Sequence, residues 1–327
     1  MRRACSLIAA TIALLSLGLA PARAVTLDEI NGAVLAKRAT VDRDGLNPFI
    51  VKAQILLGRR SISPGVVDGL DGENFHKAVA QFRRQENLGE GDAIDAATWA
   101  RLGGDAIKDV IVPYEITKAD ARYRFAKRIP HDYARQAKMK RLSYTSAREM
   151  FAERFHMSEP LLVALNPKVR MTKAGSEIQV ASTGREVQKG AAVRVEAVKL
   201  TGMVIVYGPD ERILASYPAT IGSEENPSPS GDYTVERVAR NPDYTYDPEK
   251  NFQQGKNRKK LTLPPGPNGP VGSVWVALSK PTFGIHGTPE PSKVSKTNSH
   301  GCVRLTNWDA EELADLVKPG VPVRFVD

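Results

Sequence analysis

Cysteine is scarce in this sequence: Cys5 and Cys302 are the only two among 327 residues. Two thiols make one bridge at most, so a disulfide-stapled scaffold is excluded. Long apolar runs are equally scarce. Apart from the stretch from Leu7 to Leu19, broken by Thr11, Ser16 and Gly18, nothing approaches a membrane span. No Gly-x-Ser-x-Gly elbow occurs, which removes the common serine-hydrolase arrangement. Lys256, Arg258, Lys259 and Lys260 form a basic cluster without interleaved aromatics, so nucleic acid is not an expected partner. What remains is 42% hydrophobic and 25% charged, the composition of a soluble chain with room for two or three domains.

The first residues read as a secretory signal, 1–24. Arg2 and Arg3 give the positive start, the short apolar run follows, and Ala22-Arg23-Ala24 supplies the small-x-small cleavage pattern. A retained anchor is the alternative. The expected location is the periplasm or cell envelope, with no stable membrane insertion after cleavage. Cleavage removes Arg2, Arg3 and Arg23, lowering the formal charge from +9 to +6 (9 − 3), and removes Cys5. Cys302 then stands alone, either as an inert buried side chain or as a reactive group. The remaining positive balance suits an acidic surface or polymer.

The patterning predicts a multidomain α+β chain. A three-helix unit is expected over 45–104: Phe49, Val51, Ile55, Leu56 and Leu57 in one helix, Phe75, Val79 and Phe82 in the next, Trp99 and Leu102 in the third. The turn-rich loop from Ser63 to Gly72 is not a calcium loop, because Leu70 stands where an oxygen ligand belongs. A second unit is expected over 142–182, with helical stripes at Met150, Phe151 and Phe155 and at Leu161, Leu162 and Leu165. Asn166-Pro167 stops the second stripe, and Ile178-Gln179-Val180 alternates as a strand. After a polar linker, strands dominate 193–327, and one clear helix runs from Asn307, read as its cap, to the stop at Pro319-Gly320.

Chemistry concentrates near the C-terminus. Ile285-His286-Gly287-Thr288 precedes Asn298-Ser299-His300-Gly301-Cys302-Val303-Arg304-Leu305. A nucleophilic thiol needs a base or cation nearby, and an imidazole can serve while later returning a proton to a leaving amine. Gly301 removes side-chain bulk where a substrate backbone must approach, and amides of Gly301 and Cys302 are candidates for an oxyanion hole. Two other readings stay open: an inert structural cysteine, and a zinc site of His286, His300 and Cys302. The zinc site has unusual ligand spacing and no His-Glu pair.

Several of these segments resemble known families. Gln54, Pro64-Gly65, Asp68-Gly69, Gly72, Ala78-Val79, Phe82, Asp95 and Thr98-Trp99 are similar to a three-helix peptidoglycan-binding module, with Arg83 the one departure. The unit over 142–182 resembles a degenerate LysM module, whose first strand is not recognisable before Tyr144; it is either a working glycan binder or a packing remnant. His286 with Ser299-His300-Gly301-Cys302 and Arg304 resembles the L,D-transpeptidase signature of the YkuD-type catalytic domain. Gly222, Pro227, Pro229-Ser230-Gly231, Tyr233 and Leu263-Pro264-Pro265-Gly266-Pro267-Asn268 support it.

That likeness implies a mostly β, sandwich-like domain over 193–327. In it Cys302 is the nucleophile, His286 the proton acceptor and donor, and His300 and Ser299 shape the pocket and oxyanion region. Gly287 orients the imidazole through its carbonyl. Arg304 grips a substrate carboxylate or makes a structural ion pair. No cofactor or metal is implied. The partner is peptidoglycan, as stem-peptide donor and amine acceptor, with an envelope protein as a further acceptor. The implied outcome is a 3→3 cross-link or wall attachment. The alternatives are L,D-carboxypeptidase trimming and a wall-binding protein with little catalytic activity. The helical unit is expected to be separable from the catalytic body.

Overall fold

The computed structural model describes residues 25–35, 45–183, 189–223, 227–250, 252–297 and 301–327. The expected signal segment 1–24, with Cys5, lies outside the described residues, as do Ser299 and His300.

The N-terminal helices form where the apolar periodicity places them. Helix α1 (Leu27–Asn31) is capped by Thr26, and α2 (Pro48–Gly58) begins with proline after Asn47, whose side chain accepts from the Phe49 amide. Phe75, Val79 and Phe82 line the buried face of α3 (Glu73–Gln85). Helix α4 (Ala96–Leu102) starts at the Asp95 cap and stops at Gly103, which takes the left-handed conformation that favours glycine. Gln54 fastens the turn-rich loop: its Oε1 accepts from the amides of Asp68 and Gly69 at 3.0 and 2.9 Å, and its Nε2 donates to Asp68 at 2.8 Å. Arg83 is buried and bonds Asp95, Thr98 and the Leu88 carbonyl, so it ties α3 to α4.

A strand lies well before Tyr144: β1 (Ile111–Glu115), antiparallel to β2 (Glu177–Ala181). Between them lie α5 (Lys118–Ala121), α6 (Tyr133–Gln136), α7 (Ala147–Arg154) and α8 (Glu159–Leu165). Asn166 both ends α8 and bolts it to β2, donating to Leu162 and Gln179 carbonyls and accepting from the Gln179 amide. One hydrophobic core runs from Val25 to Ala181, so the helical unit and the β1–β2 unit share an interior.

The second core, from Ala192 to Phe325, belongs to a mostly β body. Its strands are β3 (Arg194–Val198), β4 (Met203–Tyr207), β5 (Ile213–Pro218), β6 (Thr220–Ile221) and β7 (Gly231–Arg240). They continue with β8 (Tyr244–Tyr246), β9 (Leu261–Leu263), β10 (Val274–Leu278), β11 (Gly284–His286), β12 (Val303–Arg304) and β13 (Pro322–Val326), with α9 (Asn307–Leu316) before the last. Nine of them follow the order β5-β4-β3-β13-β7-β10-β11-β12-β6, and β8 pairs with β9 apart. The closing strand β13 lies inside the sheet, parallel to β3 and antiparallel to β7. The α+β class and the mostly β C-terminal body agree with the sequence reading.

Two details differ from it. The cap of α9 is Thr306, whose hydroxyl accepts from the Asp309 amide, and Asn307 turns its side chain elsewhere. The helical unit is also not a free-standing module. The Ser63 amide donates to the Ser216 carbonyl at 2.9 Å and the Ser216 amide to the Ser61 carbonyl at 2.8 Å. The chain around Ile62 therefore pairs with β5, the end strand of the sheet, and covers an edge that would otherwise be open.

Candidate active site

Register builds the site. Strands β11 and β12 run parallel with Ile285 opposite Val303 and His286 opposite Arg304, and β10 flanks β11 with Trp275 opposite His286. Ile285 and Val303 are 1% and 0% exposed, so they face the core. Side chains alternate along a strand, which sends His286, Arg304 and Cys302 to the other face. Cys302 precedes Val303 and so falls beside Gly284, two residues along the strand from His286; the Gly284 amide bonds the thiol. The thiol also donates to the Thr282 carbonyl, at 3.7 Å. Diagonal neighbours at this spacing lie within reach of a long or aromatic side chain.

The imidazole is fixed on two sides. Its Nδ1 lies 2.7 Å from the Gly287 carbonyl, an acceptor only, so Nδ1 carries the hydrogen and Nε2 presents a lone pair. Its ring stacks on Trp275 at 5.5 Å and 22°. Burial, and then the nearby Arg304 charge, push His286 down to about 4, against the opposing pull of the Gly287 carbonyl. At neutral pH it is an uncharged base. Burial pushes the Cys302 thiol up, opposed by the Gly284 amide and Arg304. Both partners therefore rest neutral, and no preformed thiolate–imidazolium pair is favoured.

Arg304 is half-buried. Burial lowers it, and Glu290, Tyr133 and Cys302 oppose that. Glu290 makes its ion pair with Lys293. Among the described residues the Arg304 guanidinium makes no ion pair and no hydrogen bond, its backbone alone pairing in the sheet. A guanidinium held partly out of water favours a nearby negative charge. Nothing among the described residues gives it the structural ion pair that the sequence left open.

Two residues that the sequence reading missed support this face. Ser228 is buried and donates to the Gly301 carbonyl at 2.9 Å, fixing the peptide next to the thiol. Gly301 needs to be glycine: its φ is +100°, and an added Cβ would meet Phe283 at 3.1 Å. Asn307, read as a cap, accepts from the Ser273 amide at 3.0 Å and donates to Glu153 at 2.8 Å. A Cβ on Gly287 would meet the Asn307 Oδ1 at 2.2 Å, so this asparagine excludes a side chain at 287. Glu153 belongs to α7, and burial lifts it to about 8. Only the Pro-Ser-Pro-Ser-Gly run around Ser228 carried a sequence signal. No group of three or more His, Cys, Asp or Glu side chains among the described residues is placed to hold a metal.

The profile of the YkuD family, the L,D-transpeptidase catalytic domain, matches residues 193–324. The chain is 28% identical over 175 residues to the YkuD protein of Bacillus licheniformis, named as an L,D-transpeptidase, covering 54% of this chain and 90% of that one. It is also 28% identical over 191 residues to the ErfK/SrfK protein of Escherichia coli K12, named in the same way. That match covers 56% of this chain and 60% of the relative, so it spans well under two thirds of the relative's length. Among solved structures, L,D-transpeptidase 3 from Mycobacterium tuberculosis aligns over 47% of this chain and 76% of its own, at 19% identity and a TM-score of 0.35.

Proposed function

Residues 193–324 form a YkuD-type L,D-transpeptidase catalytic domain, and from that premise we propose that the chain is a cysteine acyltransferase acting on tetrapeptide stems of peptidoglycan. The observation that supports the reading is the β11–β12 register, which sets His286 opposite Arg304 and Cys302 beside Gly284 on the neighbouring strand. Arg304 receives the carboxylate of the terminal D-alanine. Cys302 attacks the carbonyl of the third stem residue while Nε2 of His286 takes the thiol proton, since both groups rest neutral. The C–N bond to D-alanine then breaks, and His286 returns the proton to the leaving amine. Ser299, His300 and the amides around Gly301 belong to this proposal as pocket and oxyanion groups.

The thioester is resolved by an amine, giving a 3→3 cross-link or an attached envelope protein, or by water, giving a trimmed tripeptide. Acceptor choice depends on water exclusion around the thioester. The remaining expectations join the same proposal: export by the segment 1–24, action in the periplasm or envelope, and wall binding by residues 45–104 and 142–182. The deciding experiment incubates the purified chain with a tetrapeptide muropeptide and scores cross-linked dimer against tripeptide. Dimer supports transfer, tripeptide alone supports the carboxypeptidase, and no D-alanine release leaves only a wall-binding protein. Cys302→Ala should abolish the acyl-enzyme and keep wall binding; D-alanine release at the native rate by this variant would sink the mechanism.

A further inference from the structure

The imidazole of His286 is held by a carbonyl, and that carbonyl is held in turn. The Gly287 carbonyl accepts from Nδ1 of His286 at 2.7 Å, and the Gly287 amide donates to the Val274 carbonyl at 3.2 Å. The Asn307 Oδ1 fills a notch that only glycines leave open: a Cβ on Gly287 would meet it at 2.2 Å and one on Gly272 at 2.0 Å. The Gly272 Cβ would also meet the Gly287 carbonyl carbon at 2.6 Å. The peptide that orients His286 is therefore wedged, and Asn307 is the wedge.

What fixes Asn307 comes partly from outside the catalytic domain. Its Oδ1 accepts from the Ser273 amide at 3.0 Å, and its Nδ2 donates to the Pro267 carbonyl at 3.2 Å and to Glu153 at 2.8 Å. Both acceptors are anchored by the N-terminal half. Glu153 belongs to α7, and the Tyr144 hydroxyl stands 3.5 Å from the same carboxyl oxygen. Pro267 lies in a turn clasped by the segment ahead of α7. The Leu142 amide donates to the Pro265 carbonyl at 2.9 Å, the Asn268 amide to the Leu142 carbonyl at 3.0 Å, and the Asn268 side chain to the Ser143 carbonyl at 3.1 Å. Asn307 and Glu153 are 3% and 7% exposed, so little water reaches them to replace a lost partner.

We propose that Glu153 is a positioning residue for the catalytic base: through Asn307 it fixes the Gly287 carbonyl that holds His286 with its hydrogen on Nδ1. The inference rests on the acyl-transfer reading above and adds to it a residue that the matched domain, 193–324, does not contain. Without an acceptor at 153, one Asn307 N–H is left buried and unpaired. The amide then turns to find a partner, its Oδ1 leaves the notch, and the Gly287 peptide gains room to swing its carbonyl off Nδ1. An imidazole freed of that carbonyl exchanges its hydrogen between the two nitrogens, and only the form with a bare Nε2 serves as base. A misplacement of about 1 Å is enough to cost roughly a hundredfold in rate.

The test uses the full chain. Glu153→Met keeps the length of the side chain and removes the acceptor, and Glu153→Gln restores one. Leu161→Ala opens a cavity in the core of the same half and touches no hydrogen bond. One readout is the nitrogen NMR signal of the imidazole, assigned by comparison with His286→Gln; the other is kcat and KM for D-alanine release. Glu153→Met should turn a single Nδ1–H form into a mixture of both tautomers and lower kcat by about ten- to a hundredfold, with KM unchanged. Glu153→Gln should recover both readouts. Leu161→Ala should lower the Tm and keep the native tautomer. If Glu153→Met does not fold, Glu153→Ala carries the same expectation. A native tautomer and kcat without the acceptor, no recovery in Glu153→Gln, or the same losses in Leu161→Ala would each overturn the proposal. Failure of the native chain to release D-alanine would instead overturn the acyl-transfer reading and leave the tautomer measurement standing, so the two failures are distinguishable.

Discussion

At the scale of single residues, the neutral state of the Cys302–His286 pair sets the pH behaviour. The sequence left open whether the imidazole serves the thiol as a base or as a cation. Burial works against both charges, so under the proposed mechanism the thiol proton moves to Nε2 as the attack occurs. In that mechanism the working form of His286 is the free base, which is lost only as the pH falls through about 4, where an unperturbed histidine would be lost near 6.5. The acid limb of kcat/KM for D-alanine release should lie near 4. A limb near 6.5 would show that His286 is not held neutral. His286→Gln should slow acylation by about two to four orders of magnitude, measured as acyl-enzyme formation by mass spectrometry.

Gly287 belongs to the same scale. The Asn307 Oδ1 would stand 2.2 Å from any Cβ there, so Gly287→Ser must displace either Asn307 or the carbonyl that orients His286. Overpacking of this kind costs about 1–3 kcal/mol. Thermal unfolding should show a lower Tm together with slower acylation. An unchanged Tm would mean that Asn307 yields freely.

Secondary-structure elements differ in how plainly the sequence announces them. Helices α2, α3 and α4 were legible because Phe49, Phe75, Val79, Phe82 and Trp99 recur at helical spacing and are all buried. Strand β1 was not, because Pro113 interrupts it and Tyr114 and Glu115 show no clean alternation; only its pairing with β2 defines it. Asn307 looked like a cap because it precedes an acidic turn, but Thr306 beside it does that work and frees Asn307 for Ser273 and Glu153. Cys302 and His286 stood out as rare residues in a specific pattern.

The link from α7 to α9 carries its own test. Burial raises Glu153 to about 8, so the folded chain keeps a proton that the unfolded chain releases near 4.5. The stability tied to that proton is fully present below about 4.5 and is lost as the pH rises toward 8. Glutamine at 153 stays neutral throughout and can still accept from Asn307. Relative to the native chain, Glu153→Gln should gain stability between pH 4 and pH 8, on the order of 4 kcal/mol. Denaturant melts at the two ends of that range would measure it. A difference that does not change with pH would mean Glu153 is ionised in the fold.

For the whole molecule, the question is whether the N-terminal half is an appendage or part of the body. Its own core is shared between the helical unit and the β1–β2 unit, so removing residues up to about 104 splits an interior instead of trimming a domain. The same cut strips Ser61 and Ser63 from the end strand β5, and it removes the Asn74 side chain that donates to the Val294 carbonyl, ahead of the catalytic loop. Tyr217 and Ser216, both fully buried, lie in the β5 strand that α3 and the Ile62 segment cover. An uncovered end strand over a half-opened core is a template for aggregation. The sequence alone suggested that a cut at about Leu102 would weaken binding to insoluble peptidoglycan more than it lowers turnover of small soluble muropeptides. The contacts predict a joint loss: the chain 105–327 should yield less soluble protein, melt at lower temperature, and lose turnover and wall binding together. Size-exclusion chromatography, thermal unfolding and D-alanine release on the same preparation would measure it. A soluble 105–327 with native turnover of a soluble tetrapeptide would show that the docking of the helical unit is incidental to catalysis.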